Sequence, residues 1–143
     1  MINAERLVRK IVADTQLPTF TDNAIKSKIH SVYGKYTSVY SDQYWTVPND
    51  IIKGIHGTIS NVAVIETEYD RKQPPTYKRW YLLGGFITPT GVKRALWITI
   101  TASGAGSVEQ PLDKYDVVVT TETLAPKQMH SKGQEHLKDI GVL

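Results

Sequence analysis

The stretch from Tyr77 to Ala102 constrains the fold most. Two runs rich in β-branched and aromatic residues, Tyr77 to Ile87 and Val92 to Ala102, flank Thr88-Pro89-Thr90-Gly91. Proline early and glycine last is turn chemistry: the ring presets φ, and glycine enters the left-handed region without a steric cost. The pattern predicts an antiparallel hairpin. With Thr88 paired to Gly91, one face carries Tyr81, Leu83 and Ile87 opposite Ile98, Leu96 and Val92. The other carries Lys78, Trp80, Leu82 and Phe86 opposite Thr101, Thr99, Trp97 and Lys93. In that register Trp80 and Trp97 are diagonal neighbours. A solvated outer face should be polar, yet both faces are apolar or aromatic. Either helices or the sheet's own curl cover the second face, or another subunit buries it, or it is an open platform.

The rest of the chain builds around this hairpin. Ala4, Leu7, Val8, Ile11 and Val12 share one side of a helix predicted over Ala4 to Asp14, with Arg6, Arg9 and Lys10 opposite them. Leu17-Pro18 ends it. Thr21 or Asp22 caps a second helix with Ile25, Ile29, Val32, Tyr33 and Tyr36 as its stripe, weakened at Gly34. Thr37 to Val47 lacks a period and reads as a loop. Pro48-Asn49-Asp50 opens a short helix to about His56, which Gly57 stops. Ile59 to Tyr69 reads as the first strand, Arg71 to Pro75 as a stiff loop, Ser103 to Pro111 as another, and Tyr115 to Thr121 as the last strand. Ser131 with Gln134 resembles a capping box for a C-terminal helix that Gly141 terminates. The expectation is one α+β domain over residues 1–143: N-terminal helices on one face of a four-stranded antiparallel meander, with a short C-terminal helix. Cone-shaped sheets of the nuclear-transport-factor or cystatin type share this order, a resemblance of fold that carries no function.

Charge supplies a functional lead. The chain is only +3, from 17 Lys and Arg against 14 Asp and Glu. Between Arg71 and Val108, however, Arg71, Lys72, Lys78, Arg79, Lys93 and Arg94 stand with no acid among them. Tyr77, Trp80, Tyr81, Phe86 and Trp97 are interleaved. Cations threaded with flat aromatics suit single-stranded nucleic acid, with Trp80 and Trp97 stacking bases and the six cations contacting phosphates. In the hairpin register above, Arg79 and Arg94 point to the core side, which favours Lys78 and Lys93. The alternative is a homo-oligomeric assembly or protein-interaction module that buries the same aromatic face. Both readings are non-catalytic binding, and neither requires a cofactor.

Catalytic patterns are weaker. His30, His56, His130 and His136 show no metal-ligand spacing, and no Gly-x-Ser-x-Gly elbow appears. Gly104-Ala105-Gly106 lacks the lysine of a phosphate loop. Asp50, Glu66, Glu68, Asp70 and Lys72 loosely resemble the restriction-type nuclease pattern, in which acids hold Mg²⁺ and a lysine orients water. Against it, Asp70-x-Lys72 falls at a strand's end and three strands follow where that fold wants a helix. The first helix has the basic and apolar sides of a membrane-surface helix as well as those of an ordinary surface helix. Tyr33, Tyr36, Tyr40, Tyr44 and Trp45 are candidate lining for a small-ligand pocket. There is no cysteine, so no disulfide and no thiolate metal site. No apolar run reaches the length of a membrane span, and Met1 to Asp14 lacks a signal-peptide core. A cytoplasmic protein is the expectation.

Overall fold

The computed structural model describes residues 17–33, 46–70, 77–104 and 115–143. The helix expected over Ala4 to Asp14, most of the loop from Thr37, and Arg71 and Lys72 lie outside them. In chain order the described elements are α1 (Asp22–Tyr33), α2 (Thr46–Thr58), β1 (Ala63–Tyr69), β2 (Tyr77–Ile87), β3 (Lys93–Gly104), β4 (Tyr115–Leu124) and α3 (Ser131–Asp139). The strands form an antiparallel meander in sequence order, giving the α+β arrangement read from the sequence. No described helix is long and apolar enough to cross a membrane.

Local chemistry explains the helices. The Thr21 hydroxyl accepts from the Ala24 N–H at 3.1 Å and starts α1. Ile25 and Ile29, one turn apart, are then buried together. In α2, Ile51, Ile55 and Ile59 recur every four residues and are fully buried. Gly57 does not stop this helix, because the Ile59 N–H still bonds the Ile55 carbonyl at 2.9 Å. Burial of Ile59 on the helical stripe outweighs its β propensity, so β1 starts at Ala63 rather than Ile59.

The hairpin turn sets everything that follows. Gly91 has φ of 88° and its N–H bonds the Thr88 carbonyl at 2.9 Å, while the Thr88 N–H bonds the Val92 carbonyl at 2.8 Å. Thr88 therefore faces Val92 across a three-residue loop that ends in a left-handed glycine, a common hairpin closure. Opposed residues on β2 and β3 sum to 180: Trp80 faces Ile100, Leu82 faces Ile98, and Leu83 faces Trp97. This corrects the two-residue loop read from the sequence. A one-residue slip moves each side chain's partners to the other face, so Trp80 and Trp97 lie on opposite sides of the sheet.

Both sides are packed. On the first face, Trp80, Leu82 and Phe86 join Leu96, Ile98, Ile100, Val117 and Val119 under the isoleucines of α1 and α2. On the second, Leu83, Ala95 and Ile65 pack with Met129, Leu137, Ile140 and Val142. Helices thus lie on both sides, where the sequence order suggested one. A bulge in β1 between Val64 and Glu66 turns the extra residue Ile65 into the second cluster, and Glu66 stands opposite Tyr81.

α3 is capped at its N-terminus by a side chain and at its C-terminus by backbone geometry. Its N-cap is His130, whose Nδ1 accepts from the Gly133 N–H at 3.1 Å. The Gln134 amide donates instead to the Met129 and Lys127 carbonyls, so the Ser131–Gln134 capping box does not form. At the other end Gly141 has φ of 82°. The Val142 N–H returns to the Leu137 carbonyl at 2.8 Å and the Gly141 N–H to the Lys138 carbonyl at 3.2 Å, which is a Schellman closure.

One buried side chain ties three elements together. Asn61, 2% exposed, donates its amide to the Gly85 carbonyl and accepts from the Gly85 N–H, each at 2.9 Å. It substitutes for a strand neighbour just before β1 begins. The Asn61 carbonyl in turn lies 3.2 Å from the His136 Nε2 of α3. Glycine at 84 and 85 lets these layers approach: a Cβ at Gly84 would sit 2.5 Å from Val62, and one at Gly85 would strike Val142. Replacing Asn61 by alanine strands a buried N–H and a buried carbonyl, which costs about 2–6 kcal/mol at about 1–3 per group. Urea unfolding of Asn61→Ala measures it; a loss under about 1 kcal/mol would show that water or a shifted strand replaces the clamp.

Candidate functional site

Among the described residues, only one half of the second face of the sheet is covered. α3 and the segment before it reach as far as the rung of Leu83, Trp97 and Glu122. Beyond that rung no described element packs on the face. The further rungs run Glu66, Tyr81, Thr99 and Thr120, then Glu68, Arg79, Thr101 and Val118, then Tyr77, Ser103 and Asp116, exposed at the outer strands and half-buried along β2 and at Thr99 and Thr101 of β3. The alternation of strands puts Tyr77, Arg79 and Tyr81 of β2 side by side here.

These side chains are already fixed by one another. Glu68 Oε1 accepts from the Tyr81 hydroxyl at 2.7 Å, the Tyr77 hydroxyl at 3.1 Å and Arg79 Nη1 at 3.1 Å. Arg79 Nε donates to the Thr101 hydroxyl at 3.0 Å, so one guanidinium links β1, β2 and β3. Its plane also lies 5.3 Å from the Tyr77 ring and 6.0 Å from the Tyr81 ring. Tyr81 stacks on Trp97 with ring centroids 5.5 Å apart and 26° between planes. His130 meets Trp97 edge-on at 5.9 Å. The result is a continuous ladder of guanidinium, phenol, indole and imidazole along the border of the covered half. Exposed ion pairs stabilise little; this one orients the aromatic groups.

The sequence-stated site residues separate in the fold. Arg79 and Trp97 share the second face and are linked through Tyr81 at the border of its covered half. Trp80 is 5% exposed and belongs to the first-face core, with the Lys78 ammonium 4.9 Å from its ring. The shared Trp80–Trp97 face is therefore corrected by the three-residue turn. Lys93 Nζ donates to the Gly141 carbonyl at 3.0 Å, where a cation complements the end of α3. Arg94 bonds the Thr123 carbonyl at 3.2 Å and lies 3.7 Å from the Asp22 carboxylate. Arg71 and Lys72 lie outside the described residues, as do Tyr36, Tyr40, Tyr44 and Trp45. Glu68, Tyr77 and Tyr81 were missed as a binding group. Their signal was the Tyr-x-Arg-x-Tyr alternation on β2 beside Glu-x-Glu on β1.

Among the described residues no three His, Asp or Glu side chains are grouped to hold a metal ion. A shallow hollow of about 510 Å³ lies elsewhere, at the turn and the start of α1, lined by Thr21, Asp22, Thr88, Pro89, Thr90, Val92 and Arg94. It is open to solvent and shares no residue with the aromatic ladder.

The bond from Tyr81, with those from Tyr77 and Arg79, holds the Glu68 carboxyl below its ordinary 4.5. Desolvation and the bond to Glu68 push Tyr77 above its ordinary 10.0. A carboxyl depressed in the folded state contributes stability above its unfolded pKa and loses it as pH falls through the folded one. The stability difference between the wild type and Glu68→Gln should therefore be constant near neutrality and shrink below pH 4.5, as urea unfolding across pH will show. A difference unchanged down to the lowest accessible pH would contradict the ladder. Compared with protein-family models, curated proteins and solved structures, the chain matches none.

Proposed function

We propose that the chain is a non-catalytic protein-interaction module that docks a segment of a partner protein on the open half of its second sheet face. The observation that carries this is the prearranged ladder of Arg79, Tyr81 and Trp97 on a half-covered sheet. Trp, Tyr and Arg dominate the energetics of protein interfaces. Holding them in place before the partner arrives lowers the entropy cost of binding.

Charge selects the kind of partner. The described part of this half carries Glu66 and Glu68 against Arg79, with Glu122 at its border. Such a surface favours a segment bearing Lys or Arg beside its apolar residues. Single-stranded nucleic acid, which the basic window of the sequence suggests, would meet those carboxylates here with one indole to stack on. A second copy presenting the same face would set carboxylates near carboxylates. A cationic, partly apolar protein segment fits better than either.

Panning a displayed library of random linear peptides against the immobilised chain tests this. The selected sequences should be cationic and amphipathic, and Trp97→Ala or Arg79→Ala should weaken them by about tenfold or more. Lys78→Ala, on the other face, should leave them unchanged. Salt-steep binding of a labelled single-stranded oligonucleotide that Trp97→Ala abolishes, with no peptide selected, would replace this reading with nucleic acid.

A further inference from the structure

Among the described residues no strand lies beyond β1, where the strand order begins. The direction of its backbone groups follows from one bond. The Asp70 N–H donates to the Tyr77 carbonyl at 3.3 Å, and the same register sets Tyr69 opposite Lys78 and Glu68 opposite Arg79. Antiparallel bonding alternates along a strand, so Glu66, Glu68 and Asp70 turn their N–H and C=O toward β2. Thr67 and Tyr69 turn theirs outward. The two bonds between Asn61 and the backbone of Gly85, an even number of residues from Tyr77, fit the same alternation from the β2 side. Glu66, Thr67, Glu68 and Tyr69 are all exposed, Tyr69 at 58%. On β4, the other edge strand, Val117 and Val119 are buried.

We propose that the partner protein adds an extended strand to this edge, with Lys or Arg at alternate positions and apolar residues between them. This rests on the docking surface proposed above and gives its mode of binding. The outward N–H and C=O groups of Thr67 and Tyr69 offer main-chain bonds to any extended segment, and the side chains beside them select which one. Alternate residues of the added strand come beside Glu66 and Glu68 on the second face. Among the described residues all three bonds that hold Glu68 end on Oε1, which leaves Oε2 for an incoming cation. The residues between come beside Thr67 and the exposed ring of Tyr69 on the first face, where apolar and β-branched side chains pair well. The same acids turn away a second copy. Antiparallel self-pairing centred on Thr67, Glu68 or Tyr69 sets Glu66 against Glu68, Glu68 against its counterpart, or Glu68 against Asp70, and like charges directly opposite destabilise a strand pair. A cationic strand meets complementary charge at those places.

The probe is a synthetic octapeptide alternating arginine and valine, its binding to the full chain read by fluorescence anisotropy. It should bind at least about tenfold more tightly than the isomer that carries its arginines and valines in two blocks. Methylating its backbone nitrogens one at a time should weaken binding about tenfold at every second position and leave the others unchanged, because an added strand turns only alternate N–H groups toward β1. Thr67→Pro removes an outward N–H that β2 does not use, and an edge strand tolerates proline there. It should weaken the octapeptide about tenfold, whereas Thr67→Val, which keeps that N–H, should not. Equal binding of the two isomers, or methylation that weakens binding alike at every position, would overturn strand addition. So would a chain that sediments as a dimer and is taken apart by Thr67→Pro, which gives the edge to a second copy. Library-selected peptides that lose affinity in Trp97→Ala but are indifferent to Thr67→Pro would keep the docking face and overturn the edge. An octapeptide that keeps its alternation in Trp97→Ala and Arg79→Ala would support the edge and remove the face.

Discussion

The Thr88–Val92 turn is the constraint on which the rest of this structure depends. Gly91 at φ of 88° lets three residues close the hairpin, a geometry that costs a residue with a Cβ about 1–2 kcal/mol. Because side chains alternate with a period of two, that closure decides which residues meet on each side of β2 and β3. Trp80 meets Ile100 beneath α1 and α2, and Trp97 meets Leu83 beside α3. The other arrangements are consequences. Helices are needed on both faces because both carry apolar residues. Among the described elements α3 covers only part of the second face, and the ladder from Arg79 to His130 lies at the border of that part.

A second set of bonds keeps the layers in place around that register. Asn61 satisfies both backbone groups of Gly85 and passes its own carbonyl to His136. The α2–β1 connection, the central hairpin and α3 therefore share one buried polar centre. A buried amide bonded at both its oxygen and its nitrogen, as Asn61 is, favours a unique arrangement, because alternative packings would leave it unpaired. The glycines at 84 and 85 make the clamp geometrically feasible by leaving room for Val62 and Val142.

Much of the fold was legible in the sequence, for reasons that can be named. The two strand runs around Thr88 to Gly91, the end signal at Gly141, and the stripe of Ile25 and Ile29 are local patterns, and the structure keeps them. What escaped depended on choices that local pattern does not settle. Gly91 serves a two-residue or a three-residue loop equally well in sequence, and only the packing of both faces selects between them. Ile59 reads as strand until its spacing from Ile51 and Ile55 is weighed. His130 caps α3 through an imidazole nitrogen, which lies outside the usual Ser, Thr, Asp and Asn set. Of the site residues named from sequence, Arg79 and Trp97 meet because they share a face in the true register; Trp80, Lys93 and Arg94 were drawn into packing and capping. Charge counted along the chain did not reveal that the carboxylates of β1 and β4 would flank those two residues in space.

The most direct test of this account is the register of the central hairpin, measured by cross-strand proton NOEs between β2 and β3. The account predicts contacts that pair Tyr81 with Thr99 and Leu83 with Trp97, together with a Trp80 ring in contact with the isoleucines of the first-face core. Contacts that pair Tyr81 with Ile98 and Leu83 with Leu96, with both indoles on one side of the sheet, would contradict it and dissolve the ladder of Arg79, Tyr81 and Trp97.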